Sequence, residues 1–176
     1  MFTELTSALI VDGLVLIAVL GNDVGSARKI GPMRILRPLV LAIVIVPLFI
    51  ATPATHGTGL AVEIAGIAAG LLGGLAAAAL TTVHRSPETG KPVSRATAPY
   101  AILWTLVIGA RAAFSYGAGH WFHPQLVSWG IAHQVSFAAV TDALIAMAVV
   151  MVLVRTIGLA VRASQLQAPA LTPQRA

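Results

Sequence analysis

The sequence predicts an all-α integral membrane protein, a bundle of about five transmembrane helices with the N-terminus outside and the C-terminus cytoplasmic. Three observations predict it. Of the 176 residues, 57% are hydrophobic and only 10% charged, whereas soluble domains carry about a quarter charged residues; mean hydropathy is +0.89. The apolar residues fall in five runs, each near the roughly 20 residues that a bilayer crossing needs. With one exception, the Lys and Arg residues lie in alternate connections or toward the C-terminal end.

The first run covers 3–21 and opens as "MFTELTSALIVDG". It has no basic leader and carries Glu4 and Asp12, so it reads as a retained span and not as a cleaved signal peptide. The second, 35–51, is short, starts between Arg34 and Arg37, and contains Pro47, which removes a helix donor and predicts a kink or an end. The third and fifth, 59–83 and 135–162, are long enough to tilt, and the fourth covers 99–119. Residues 163–176, "ASQLQAPALTPQRA", have no apolar face and read as a disordered cytoplasmic tail.

Charge placement orients these spans. Arg28, Lys29, Arg34 and Arg37 lie in the first connection, Arg85, Lys91 and Arg95 in the third, and Arg155, Arg162 and Arg175 toward the C-terminal end. The N-terminus and the second and fourth connections have none. Basic residues stay on the cytoplasmic side of inserted spans, which gives the topology stated above; the bacterial cell (inner) membrane is the setting that the family resemblance given below implies. The pI near 10.8 then reflects topology, with anionic lipid of the inner leaflet as counter-charge. A nucleic-acid partner has no support. With no cysteine, disulfides, thiolate metal sites and thiol relays are excluded.

The exception is Arg111, within "LVIGARAAFSYG". It lies eight residues before Gly119, roughly 12 Å into the bilayer at 1.5 Å per residue. A central arginine costs at least about 2.5–3.5 kcal/mol there, so a partner is expected. Asp12, Glu63 and Asp142 come from three other spans and all fall in the same outer half. Four ionised groups would sum to −2, so at least one acid is expected to hold a proton. Two readings stay open: an ion-pair network that fixes helix register, or a proton- or substrate-handling site.

The third span, "EIAGIAAGLLGGLAAAAL", places Gly66, Gly70 and Gly74 four apart, a small-xxx-small stripe that admits another backbone. Glu63 lies on the same stripe. The stripe serves either packing within the chain or a homodimer face. His56, His120, His123 and His133 all lie outside, and "HWFHP" sets His120 and His123 three apart. If that segment is helical, two imidazoles can share a metal, and without thiolates zinc, Cu(II) or haem iron remain the options. The plainer reading is an interfacial aromatic belt with Trp121, Phe122 and Trp129 on a short surface helix. No Walker loop, nucleophile elbow, HExxH or dinucleotide fingerprint is present, so no catalytic residues are nominated and an enzyme is not expected.

The entry "RILRPLVLAIVIVP", the glycine helix "GIAAGLLGGLAAAALTTVHR", the turn "ETGKPV" and "LWTLVIGARAAF" together resemble the CcdC-like family of small bacterial membrane proteins over roughly residues 30–160. On that resemblance Arg111 matches the arginine ending the family's fourth apolar run, and Gly66, Gly70, Thr82 and Arg85 match its glycine-helix motif. The family's name links it loosely to cytochrome c biogenesis. The first expectation from the residues is a non-enzymatic membrane factor, without a resident cofactor, that works through packing and contacts with lipid, a second copy or a membrane-protein partner; the resemblance implies envelope or cytochrome biogenesis as its setting. The alternative is a small transporter or haem- or metal-handling protein that uses the buried charges and outer histidines.

Overall fold

A computed structural model describes residues 28–49 and 56–167. In chain order these form β1 (Arg28–Lys29), α1 (Pro32–Phe49), α2 (Gly57–Ala79), β2 (Thr81–Arg85), β3 (Pro92–Ala96), α3 (Ala98–His120), α4 (His123–His133) and α5 (Phe137–Gln167). The expected first span, with Asp12, lies outside the described residues, as do residues 168–176.

Among the described residues, α2, α3 and residues Ala138–Leu166 of α5 are long and apolar enough to cross a membrane. Only 17% of each span is buried, and side chains such as Leu72 and Leu106 are 68% and 65% exposed. A water-soluble fold would turn such faces inward, whereas in lipid they cost nothing. The chain is therefore a membrane protein of helical class.

It is not all-α. The first and third connections, expected as loops, pair into a three-stranded antiparallel sheet of order β1-β3-β2. Arg28 faces Ser94 and Lys29 faces Val93, while Thr81 to Arg85 face Ala96 back to Pro92. The Ser86 N–H donates to Lys91 O at 2.9 Å, closing a hairpin loop that Gly90 turns at φ +62, a left-handed conformation that suits glycine. Hydrogen-bonded pairs alternate along an antiparallel ladder. The even-numbered residues of β2 therefore bond to β3, and Thr81, Val83 and Arg85 turn their N–H and C=O groups to the other edge, which is free among the described residues. The Ile30 N–H donates to Pro92 O at 3.1 Å. Pro92, with no N–H to give, thus stands where β3 asks only for its carbonyl.

Several boundaries also move. α1 starts at Pro32, whose fixed φ and missing N–H suit a first turn, and it continues through Pro47 to Phe49. α2 stops at Ala79 because the β-branched run from Thr81 enters the sheet. α5 continues to Gln167, so residues 163–167, expected as disordered tail, are helical. Ala163 is buried there, and the carbonyl of Leu166 is capped by Arg85.

α2 and α5 form the central pair. Gly66 faces Ala143, Gly70 faces Met147, and Gly74 faces Met151 and Val154. The partners advance together along both helices, so the two run parallel. α3 returns between them in sequence. Its Tyr100, Trp104 and Ile108, spaced by four, join Ala77, Ala96 and Met151 in the core. Beyond Ile108 only Gly117 of α3 is buried.

Candidate functional site

Two groups of residues flank the α2–α5 seam, one toward each end. Along the seam, a Cβ on Gly66 would stand 2.5 Å from Ala143 O, and one on Gly74 would stand 2.7 Å from Met151 O. Gly70 lies equally tight against Met147 O. Helical backbones approach this closely only where side chains are missing. The stripe that could have faced a second copy is occupied by α5 of the same chain.

At the N-terminal end of the pair lie two of the predicted charges. Asp142 adjoins Ala143 and is 6% exposed. Glu63, one turn before Gly66, is half-buried. The seam therefore brings these two acids to the same end of adjacent helices. Arg111 is half-buried on α3, one turn beyond Ile108, where that helix leaves the core. Glu63 and Arg111 are both engaged by neighbours. Asp12, the fourth member expected in this layer, is outside the described residues.

The histidines expected on the outer side are divided among elements. His120 ends α3, a break at Trp121 and Phe122 follows, and His123 opens α4. The break forms because Phe122 packs onto Gly117, whose carbonyl accepts the N–H groups of Trp121 and Phe122 at 2.8 and 3.0 Å. The condition for the paired-imidazole reading, one continuous helix, is not met. His120 Nδ1 lies 3.1 Å from Tyr116 O, His123 Nδ1 3.1 Å from Ala118 O, and His133 Nδ1 2.9 Å from Trp129 O. His120 stacks on Tyr116 with centroids 4.4 Å apart, and His133 stacks on Trp129 at 5.0 Å. His56 is exposed just before α2. Among the described residues no group of three or more His, Asp or Glu is placed to hold a metal ion.

The other end carries a site that spacing alone did not nominate. α2 and α5 both terminate here, and each leaves carbonyls without an intrahelical donor. Arg162 of α5 reaches across and donates from Nη1 to Ala78 O at 2.8 Å and to Thr81 O at 3.2 Å. Arg85 of β2 reaches back and donates from Nη2 to Leu166 O. Each helix end is thus capped by an arginine from the other segment. Threonines take two more carbonyls at the end of α2: Thr81 Oγ1 donates to Ala77 O and Thr97 Oγ1 to Leu80 O, both at 2.8 Å. Positive charge at helix C-termini also opposes the negative ends of two parallel macrodipoles. Beside this network, Arg155 lies over the Tyr100 ring at 5.1 Å. Tyr100 in turn meets Trp104 at 6.2 Å. The Trp104 indole N–H is buried without an acceptor among the described residues.

Between the free edge of β2 and the last turns of α5 is a cavity of about 450 Å³, lined by Ala79, Thr81, Thr82, Val83, Arg162, Gln165 and Leu166. A smaller one of about 360 Å³, mostly apolar, lies at the α4–α5 corner. The sequence carried one hint of the basic end, Thr and Arg residues directly after an apolar run. The partners of those arginines depend on helix ends that only the folded chain brings together. The chain matches no family model, no curated protein and no solved structure.

Proposed function

We propose that this chain is a multi-pass protein of the bacterial cell (inner) membrane, with its basic sheet in the cytoplasm and α4 at the outer surface. In this reading it is a non-enzymatic factor that works through packing and through lipid or protein contacts. The CcdC-like resemblance suggests envelope or cytochrome biogenesis as the setting.

The observation that carries the reading is the pairing of Arg28 and Lys29 with Ser94 and Val93. Two basic connections, separated in sequence by α1 and α2, share one sheet, and the positive-inside rule assigns that side to the cytoplasm. The parallel run of α2 and α5 supports the same arrangement, since parallel spans enter from one side.

The cysteine-free sequence allows a direct test. In intact cells a membrane-impermeant maleimide is expected to label Gln125→Cys, and to label Glu88→Cys only after permeabilisation. The reverse pattern overturns the topology. A haem- or metal-handling role is tested separately by an absorption spectrum and metal analysis of the purified protein beside the His120→Ala/His123→Ala double variant. Metal-free protein without a Soret band is expected. Stoichiometric metal or haem that the double variant loses would replace the non-enzymatic reading.

A further inference from the structure

The cavity at the basic end has features that helix capping does not use. Arg162 commits Nη1 to two carbonyls, while its Nε and Nη2 donate to no described residue. The guanidinium is therefore held in a fixed pose with donors to spare, the arrangement that suits a phosphate oxygen pair. Val83 lines the same cavity, and by the ladder's alternation its N–H lies on the free edge of β2, the edge on which Thr81 O meets Arg162. Gln165 adds a side-chain amide to the lining. Arg85 does not line the cavity, but its bond to the carbonyl of Leu166, a lining residue, sets its charge next to it. Two full positive charges outweigh roughly half a negative charge at each of the two helix ends, so the cavity remains attractive to an anion.

Its position selects the kind of anion. The cavity lies where two membrane-length helices end, and Ala79, Val83 and Leu166 give it apolar walls beside the donors. A soluble anion has no use for those walls, whereas a glycerophospholipid presents a charged phosphodiester and an apolar body together. We propose that this cavity seats the phosphate of an anionic membrane lipid, held by Arg162, the Val83 N–H and the Gln165 amide, with the charge of Arg85 nearby. The proposal rests on the membrane topology above and adds a specific headgroup site to it.

The test is native mass spectrometry of the full chain in mild detergent, titrated with phosphatidylglycerol or with phosphatidylcholine. Phosphatidylglycerol is expected to bind roughly tenfold or more tightly, the scale set by one or two basic side chains at an anionic headgroup. Gln165→Trp, which fills the cavity and leaves both arginine caps intact, is expected to abolish the preference without lowering the unfolding temperature. Arg162→Met should abolish it too, and the tryptophan variant keeps the test open if that protein does not fold. Equal binding of the two lipids by the wild type overturns the site while leaving the membrane reading intact. So does a preference that survives in Gln165→Trp. Stabilisation by inorganic phosphate equal to that by phosphatidylglycerol overturns the lipid as the source of the anion. Retention of no lipid at all overturns the membrane reading and the site together.

Discussion

Gly66 and Ala143 touch backbone to backbone: a single carbon added to Gly66 would stand 2.5 Å from the Ala143 carbonyl oxygen. No side-chain rotation relieves such a contact, because its far atom belongs to a helix. Helix separation in this protein is therefore set by what Gly66, Gly70 and Gly74 lack.

The first prediction follows from that contact. Gly66→Ala and Gly70→Ala should each destabilise the detergent-purified protein by about 1–3 kcal/mol, the usual cost of overpacking. Gly109→Ala, at a site with nothing within 4 Å, should gain about 0.5–1 kcal/mol from helix propensity. Thermal unfolding followed by tryptophan fluorescence reads all three. Equal behaviour of Gly109→Ala and Gly70→Ala would remove the seam from the account.

The arginine caps make a second pair of expectations. Arg162→Met strands the carbonyls of Ala78 and Thr81 and should cost about 1.5–3 kcal/mol, the range for hydrogen bonds from charged donors. Arg162→Lys should recover only part, since one ammonium cannot reproduce the planar fork. Full recovery by lysine in the same unfolding assay would show that charge alone matters there.

Arg155 and Tyr100 should be energetically coupled. A double-mutant cycle with Tyr100→Leu and Arg155→Met is expected to return about 0.5–2 kcal/mol of interaction, the range of a cation over an aromatic face. A coupling of zero would assign Tyr100 to packing alone.

Gln134 closes α4 in the left-handed region at φ 55. Glycine takes that conformation without the roughly 1–2 kcal/mol penalty of a side chain. Gln134→Gly should therefore raise the unfolding temperature and Gln134→Val should lower it. A higher melting point for the valine variant would contradict the αL assignment.

Much of this architecture was legible in the chain before any coordinates, and for a simple reason. A run of about twenty apolar residues suits a bilayer crossing and little else, so α2, α3 and α5 announced themselves. The period-four glycines likewise announced a close contact, though not with which helix. The sheet was hidden because β1 is two residues long and "TTVHR" and "PVSRA" are short, polar and charged; their basic residues read first as a cytoplasmic loop. The reciprocal caps were hidden for a different reason. Arg85 and Arg162 each serve the end of a helix they do not belong to, and no local pattern encodes a partner that distant. His120 and His123 show the converse: their spacing suggested one helical face, and the packing of Phe122 onto Gly117 broke that face in two.

The parallel seam also has a consequence for the order in which the protein can assemble. α2 is made well before α5, with β2, β3, α3 and α4 intervening, so its glycine stripe enters the bilayer with no partner. Until α5 is made, Gly66, Gly70 and Gly74 lack the backbone they pack against. A chain truncated before Phe137 would keep α2 and α3, both long and apolar enough to cross a membrane, and lack the surface against which α2 rests.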